Sequence, residues 1–121
     1  MGPIDDFLKT VGALYDETRV KLLKFLYIHG PLCVCDLQNS FNMIQSRLSR
    51  HLKILKDAGF LKNFKDGRKN YYAIKSPLDK FKNEALKEIL ALPMELPKLK
   101  RKSKKCDIND IISKRSKNGT P

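Results

Sequence analysis

"IQSRLSRHLKILKDAGFLKNFKDGRKNYYAIK", residues 44–75, changes its hydrophobic period half-way, and that change decides the fold. In the first half Ile44, Leu48, Leu52 and Leu55 recur at helical spacing. Gln45, Arg47, Ser49, Arg50, Lys53 and Lys56 take the other face. This predicts a helix over about 44–57, ended by Ala58-Gly59. In the second half the apolar positions are 60, 61, 64, 71, 72 and 74, rich in aromatics. Asp66-Gly67 between two strand-like runs signals a β-hairpin. Lys62, Lys65, Arg68 and Lys69 gather around its tip. Just upstream, Val34, Leu37 and Phe41 predict a short helix over about 34–41, with Asn42 making the turn. Two helices across a short turn, the second rich in Arg, Ser and Gln, form a helix-turn-helix pattern. A basic hairpin directly behind it reads as a wing.

Further out, Ile4, Phe7, Leu8, Val11 and Leu14 predict a first helix over about 4–15. Asp16 is placed to cap a second, whose stripe is Val20, Leu23, Leu26 and Tyr27 and which stops at Gly30-Pro31. Beyond the hairpin, Ser76 as N-cap and Pro77 at the first position open a last helix, with Leu78, Phe81, Ala85, Leu86, Ile89 and Leu90 on one face. The expected fold is mainly α with a β-hairpin: a winged helix-turn-helix of order α-α-α-α-β-β-α. The stripes of the first and last helices exceed what one small domain covers, so a homodimer is expected, with Phe7, Val11, Phe81, Leu86 and Ile89 at its interface. Residues 1–92 read as the DNA-binding and dimerisation domain. Residues 93–121 read as a basic, flexible tail with one weak helix around Ile108–Ile112.

The net charge of +12 makes a polyanion the default partner. Residues 98–121 hold nine Lys/Arg against two Asp, so +7 of that charge lies on the tail and the body is only moderately basic. The expected partner is double-stranded DNA carrying an inverted-repeat operator. Its contacts are expected from Gln45, Ser46, Arg47, Ser49, Arg50, His51 and Lys53 on the helix, and from Lys62, Lys65, Arg68 and Lys69 on the wing. His51 has a packing or phosphate role on this reading. Enzyme readings find nothing: no phosphate-binding Gly loop, no HExxH, no CxxC and no paired carboxylates. No apolar run approaches the ~20 residues of a membrane span, and no stretch reads as a signal peptide. A cytoplasmic protein with reduced thiols and no membrane partner is expected.

"PLCVCDLQ", residues 31–38, holds two of the three cysteines one residue apart. A disulfide is not expected between neighbours at i and i+2, whose Cα and Cβ atoms do not sit at unstrained bridging distance. Two readings stay open: core filler, since free Cys packs as a small hydrophobe, or a thiol pair that grips a soft ion. On a regular helix the pair would diverge. At a helix start the chain can be extended between them. Candidate third ligands are Cys106, whose thiolate Lys104 and Lys105 favour, and His29, which more readily serves its helix C-terminus.

The run "ALYDETRVKLLKFL…GPLCVCDLQNSF…IQSRLSRHLKILKDAGFL…DGRKNYYAI" resembles the ArsR/SmtB family of bacterial metal- and metalloid-sensing repressors over roughly residues 11–75. "LCVCDL" at 32–37 is similar to that family's metal-binding box, and residues 49–61 to its recognition-helix signature SRHLKxLxxAGxL. The resemblance implies a winged-helix homodimer paired through the first and last helices, with the fourth helix in the major groove. It also implies Cys33 and Cys35 as ligands of a thiophilic inducer: As(III) or Sb(III), alternatively Cd, Pb or Zn. No cofactor is then needed for DNA binding. Release by oxidants, or ligand-independent DNA binding, are the other readings. Three departures stand out. Ile44 replaces the family's N-cap Ser, Gln38 replaces the third Cys of the best-known arsenic sensors, and the last helix has no His for a zinc site.

Overall fold

The computed structural model describes residues 2–101. Five helices and a small sheet follow in the order α1 (Pro3–Leu14), α2 (Glu17–His29), β1 (Leu32–Cys33), α3 (Val34–Phe41), α4 (Gln45–Asp57), β2 (Leu61–Asp66), β3 (Lys69–Ile74) and α5 (Lys80–Ala91). This is the expected winged helix-turn-helix, with one strand more than the periodicity revealed. The sheet order is β1-β3-β2, antiparallel throughout.

Local chemistry sets the boundaries. The Asp16 carboxylate accepts the Arg19 N–H at 3.1 Å and starts α2. Gly30, at φ 80°, takes the left-handed conformation that ends it. Asn42, at φ 51°, turns the chain from α3 into α4. Ile44 precedes α4 in extended conformation and supplies no side-chain cap, as its apolar side chain dictates. The hairpin register pairs Asp66 with Lys69, so the two-residue turn is Gly67-Arg68. Gly67 comes first, at φ 67°, as type II′ turns require.

The last helix starts later than Ser76-Pro77 implies. Asp79 is the cap, its carboxylate accepting the Lys82 N–H at 2.9 Å. A charged oxygen at that position holds the first turn better than a hydroxyl one turn upstream, and residues 76–78 form the bend before it.

Helix α2 runs through the middle of the core. Leu22, Leu23, Phe25 and Leu26 are all buried, while Tyr27, expected on the apolar stripe, is more than half exposed. Leu37 from α3, Leu48, Leu52 and Leu55 from α4, and Phe60 and Leu61 entering the wing complete the centre. Residues 93–101 lack regular structure, as expected, yet they do not leave the body after residue 92. Met94, Leu96 and Leu99 pack on the core, and the Lys100 N–H donates to Ser40 Oγ at 2.8 Å. The chain is therefore strapped along α3 as far as Arg101. The weak helix around Ile108–Ile112 and the rest of the basic tail lie outside the described residues. No helix among those described is long and apolar enough to cross a membrane.

Leu52 has no exposed surface and ties α4 to the core. Leu52→Ala should lower unfolding free energy by about 2–5 kcal/mol in urea denaturation, against less than about 0.5 kcal/mol for Ser46→Ala on the solvent side of the same helix.

Candidate nucleic-acid interface and thiol site

Helix α4 presents Gln45, Ser46, Arg47, Arg50 and Lys53 to solvent, with Ser49 half-buried beside them. Its other side is the Leu48, Leu52 and Leu55 row that anchors it. The exposed face is polar and cationic along its first two turns. Lys53 is partly engaged, its ammonium 3.1 Å from the Asp57 carboxylate one turn on.

His51 departs from its expected place among the DNA contacts. It is 4% exposed, with its ring turned into the body. Its Nδ1 lies 3.1 Å from the Arg19 guanidinium. Arginine only donates, so Nδ1 is the acceptor and Nε2 carries the proton. That Nε2 is buried and finds no partner among the described residues. Arg19 also donates through Nε to the Ala13 carbonyl at 2.8 Å and through Nη2 to the Gly12 carbonyl at 3.3 Å. One guanidinium thus joins the end of α1, the start of α2 and the middle of α4. The packing reading of His51 holds, and the phosphate reading falls on burial.

On the wing, Lys65, Arg68 and Lys69 stand at the tip. Lys62 does not join them. It shares the hairpin face of Phe64 and Tyr71, whose rings stack at 5.5 Å, and borders a groove against Tyr27 and Pro31. Strand alternation puts Lys65 on the opposite face.

Cys33 and Cys35 come together, as a helix start allows, but as a disulfide, which their spacing did not predict. Cys33 is the last residue of β1, paired with Tyr71 across the sheet, while Cys35 sits in the first turn of α3. This strand-to-helix switch leaves the two Cα atoms 5.2 Å apart, within disulfide range, and the two sulfurs are bonded. Cys33 is also the N-cap of α3, its Sγ accepting the Asp36 N–H at 3.2 Å. The Asp36 carboxylate is buried, and its ligand oxygen and the two sulfurs lie within 4.8 Å of one another. Arg101 from the strap reaches Asp36 Oδ2 at 3.3 Å. Reduced, this is a donor set of two soft sulfurs and one hard oxygen already held by a guanidinium. It fits a thiophilic ion better than a hard cation. The sulfurs border a cleft of about 370 Å³ lined also by Val34 and Gln38 of α3, Gln45 and Ser49 of α4, and Arg68, Lys69, Asn70 and Tyr72 of the wing. Cys106 lies outside the described residues. His29 is exposed and packs its ring edge-on against Phe25, 4.4 Å between centroids.

Of the expected interface residues, Phe7, Val11 and Phe81 are exposed, and Phe7 stacks on Phe81 at 5.2 Å. Ile4 and Leu8 extend the same apolar surface. Leu86 and Ile89 do not belong to it. They are 5% and 6% exposed and sit in the protomer's own core, on the face of α5 turned inward.

Residues 16–63, which contain the thiol pair and the whole helix-turn-helix, match the family described as bacterial regulatory protein, arsR family. An uncharacterized HTH-type transcriptional regulator of Methanocaldococcus jannaschii is 38% identical over 84 residues, covering 69% of this chain and 86% of its own. The chain belongs to the ArsR family. Among its ArsR relatives, the cadmium resistance transcriptional regulatory protein CadC homolog of Staphylococcus aureus is 41% identical over 57% of each chain. The arsenical resistance operon repressor of Bacillus subtilis is 43% identical over 50% of this chain and 57% of the repressor. The chain therefore spans just over half the length of these two. In three dimensions it is similar to the homodimeric winged helix-turn-helix DNA-binding domain Mb0332 of Mycobacterium bovis, with a TM-score of 0.62, 25% identity and coverage of 73% of this chain and 80% of that one.

The sequence reading of this ArsR chain missed two polar links, Arg19 to His51 and Arg101 to Asp36. Both join residues more than thirty positions apart, which no periodicity reports. Burial pushes the His51 imidazole below its ordinary value, and Arg19, Arg47 and Arg50 push the same way against Asp16. The unfolded chain then takes up a proton at higher pH than the folded one. Stability from His51 is complete above pH 6.5 and is lost as pH falls from there toward the lower folded value. Urea midpoints measured from pH 8 to 5 should fall across that interval, and His51→Gln should flatten the fall.

Proposed function

We propose that this ArsR-family regulator is a homodimeric DNA-binding repressor that leaves an inverted-repeat operator when a thiophilic ion, As(III) or Sb(III) first among them, binds the reduced Cys33–Cys35 pair. One observation carries the reading: the two sulfurs lie together at the residue that caps α3, the helix that leads into α4. The cadmium and arsenical resistance names of its relatives support an ion of this class. The Asp36 carboxylate is already engaged by Arg101, which makes it a poorer third ligand for Cd, Zn or Pb and favours the all-sulfur choice. A third sulfur comes either from Cys106 or from solution. An oxidant is the second reading, favoured by the bonded sulfurs.

Cys33 accepts the Asp36 N–H in the first turn of α3 with the same sulfur that would hold the ion. The bond to Cys35 leaves that cap in place, whereas an ion held between the two sulfurs imposes its own sulfur positions, and α3 passes the resulting strain on its cap to α4 through their short turn. In the DNA-bound state, Gln45, Ser46, Ser49 and Arg50 face base edges in the major groove, and Arg47 and Lys53 sit toward the phosphates. Lys65, Arg68 and Lys69 follow the backbone beside the minor groove, and Lys62 plays at most an outer part. Phe7, Phe81, Val11, Ile4 and Leu8 provide the apolar surface for the two-fold contact.

Operator release followed by fluorescence anisotropy tests this. Arsenite should release the reduced wild-type protein, while Cys33→Ser and Cys35→Ser should bind operator normally and stay bound. Release of the double Ser variant by arsenite overturns the assignment, and release by peroxide but not arsenite selects the oxidant reading. In the same assay, Arg50→Ala should weaken operator binding by about 1–3 kcal/mol and relax one position of each half-site. Lys69→Ala should instead lower affinity for all sequences and flatten the salt dependence by about one phosphate per protomer.

A further inference from the structure

The cleft beside the two sulfurs is built from more than the thiol pair, and its chemistry names a ligand. Its floor is Cys33 and Cys35. Gln38, Gln45 and Asn70 offer side-chain amides, and Arg68 stands at the rim. Gln38, at the position where the resemblance places a third Cys, lines one wall. Among the described residues no carboxylate pairs with Arg68, although the chain pairs Lys21, Lys53, Lys82, Lys87 and Arg101 with nearby acids. A volume of about 370 Å³ lies at the small end of ligand pockets. An arsenite held by two protein sulfurs has one coordination position left, and the cleft beside the sulfurs offers amides and a cation together with Val34 and Tyr72.

Resting on the ion-released reading above, we propose that this position is filled by a small anionic thiol, of the class of glutathione, lodged in the cleft. Its sulfur binds the ion, its peptide groups meet the Gln38, Gln45 and Asn70 amides, and a carboxylate pairs with Arg68. The chemistry balances without further reagents. Two molecules of the thiol first reduce the Cys33–Cys35 bond, leaving two protein thiols and one small-molecule disulfide. Arsenous acid then exchanges its three hydroxyls for three sulfurs: three As–O bonds break, three As–S bonds form, and the three thiol protons leave in three waters. Arsenic stays trivalent. The occupied cleft lies against Gln45 and Ser49, so the thiol adduct also stands where the DNA-facing end of α4 must be clear.

The test uses the full chain without DNA, pre-reduced with a phosphine. Arsenite is titrated in the presence of glutathione or its diethyl ester, with binding followed by near-ultraviolet As–S absorbance and composition by native mass spectrometry. Wild-type protein and Cys106→Ser should each retain one arsenic and one glutathione per protomer. The ester, lacking the carboxylates, should bind about tenfold more weakly. Arg68→Ala should bring glutathione and ester together while arsenic is still retained, and Gln38→Cys should hold arsenic with no small thiol. Arsenic retained by wild type without glutathione, but lost or glutathione-dependent in Cys106→Ser, would make Cys106 the third ligand and overturn the proposal. Equal binding of glutathione and ester by wild type overturns the role of Arg68 and with it the cleft. Failure of every variant to hold arsenic overturns both this inference and the function on which it rests.

Discussion

Cys33 does two structural tasks with one residue, and the arrangement around it follows from that. Its backbone closes the sheet by pairing with Tyr71, and its sulfur caps α3 by accepting the Asp36 N–H. A Ser, Asp or Asn would cap more strongly, since oxygen is the better acceptor. The cap survives the bond to Cys35; on the proposed function, an ion that moves the sulfur is what acts on the start of α3. The two-residue strand exists because the chain must be extended at Cys33 and helical from Val34 onward. That same switch brings Cys35 back beside its neighbour.

A second constraint makes the sensitivity matter. Helix α4 is held from behind by buried leucines packed with those of α2, and one guanidinium adds a polar tie to α1, with Arg19 bonded to Gly12, Ala13 and His51 at once. His51 has no other polar partner among the described residues. The link therefore depends on a neutral ring, and burial keeps the ring neutral. Helix α1 also carries Phe7, Val11 and the exposed apolar surface, so Arg19 ties the recognition helix to the element best suited to meet a second copy. On the proposed function, an operator with two half-sites needs that angle fixed in both copies.

Periodicity and punctuation made the helices legible. The α2, α3 and α4 bounds fall within a residue or so of where the apolar spacing, Asp16, Gly30 and Asn42 put them. The errors have physical sources. Ser76-Pro77 imitates a helix start, but the carboxylate of Asp79 is the stronger cap. Leu86 and Ile89 lie on a stripe that spacing identifies as apolar, yet spacing does not say whether the stripe meets the protomer's own core or another copy. His51 sits in a basic run, and charge neighbours suggested DNA where the helical wheel required burial. The i, i+2 rule against bridging assumes uniform secondary structure. It fails at Cys33–Cys35 because the boundary between strand and helix falls between them. The strap over residues 93–101 looked like a linker because its anchors, Ser40 and Asp36, lie some sixty positions away.

The energy scale decides between two routes from sulfur to DNA. A helix cap is worth about 0.5–2 kcal/mol, so losing it in both protomers gives about 1–4 kcal/mol, of which only the part that distorts α4 reaches the operator. A regulatory coupling typically needs 1–3 kcal/mol. The cap alone thus lies at the threshold of an effective switch. On the proposed function the cleft adds a second contribution of different kind: Gln45, Ser49 and Arg68 line the same space as the sulfurs, so anything lodged there competes with the groups proposed for base and phosphate contact. On that reading, two modest effects on the same face of the protein, one through the backbone and one through occupied volume, together reach the range of a regulatory coupling that the cap alone only borders.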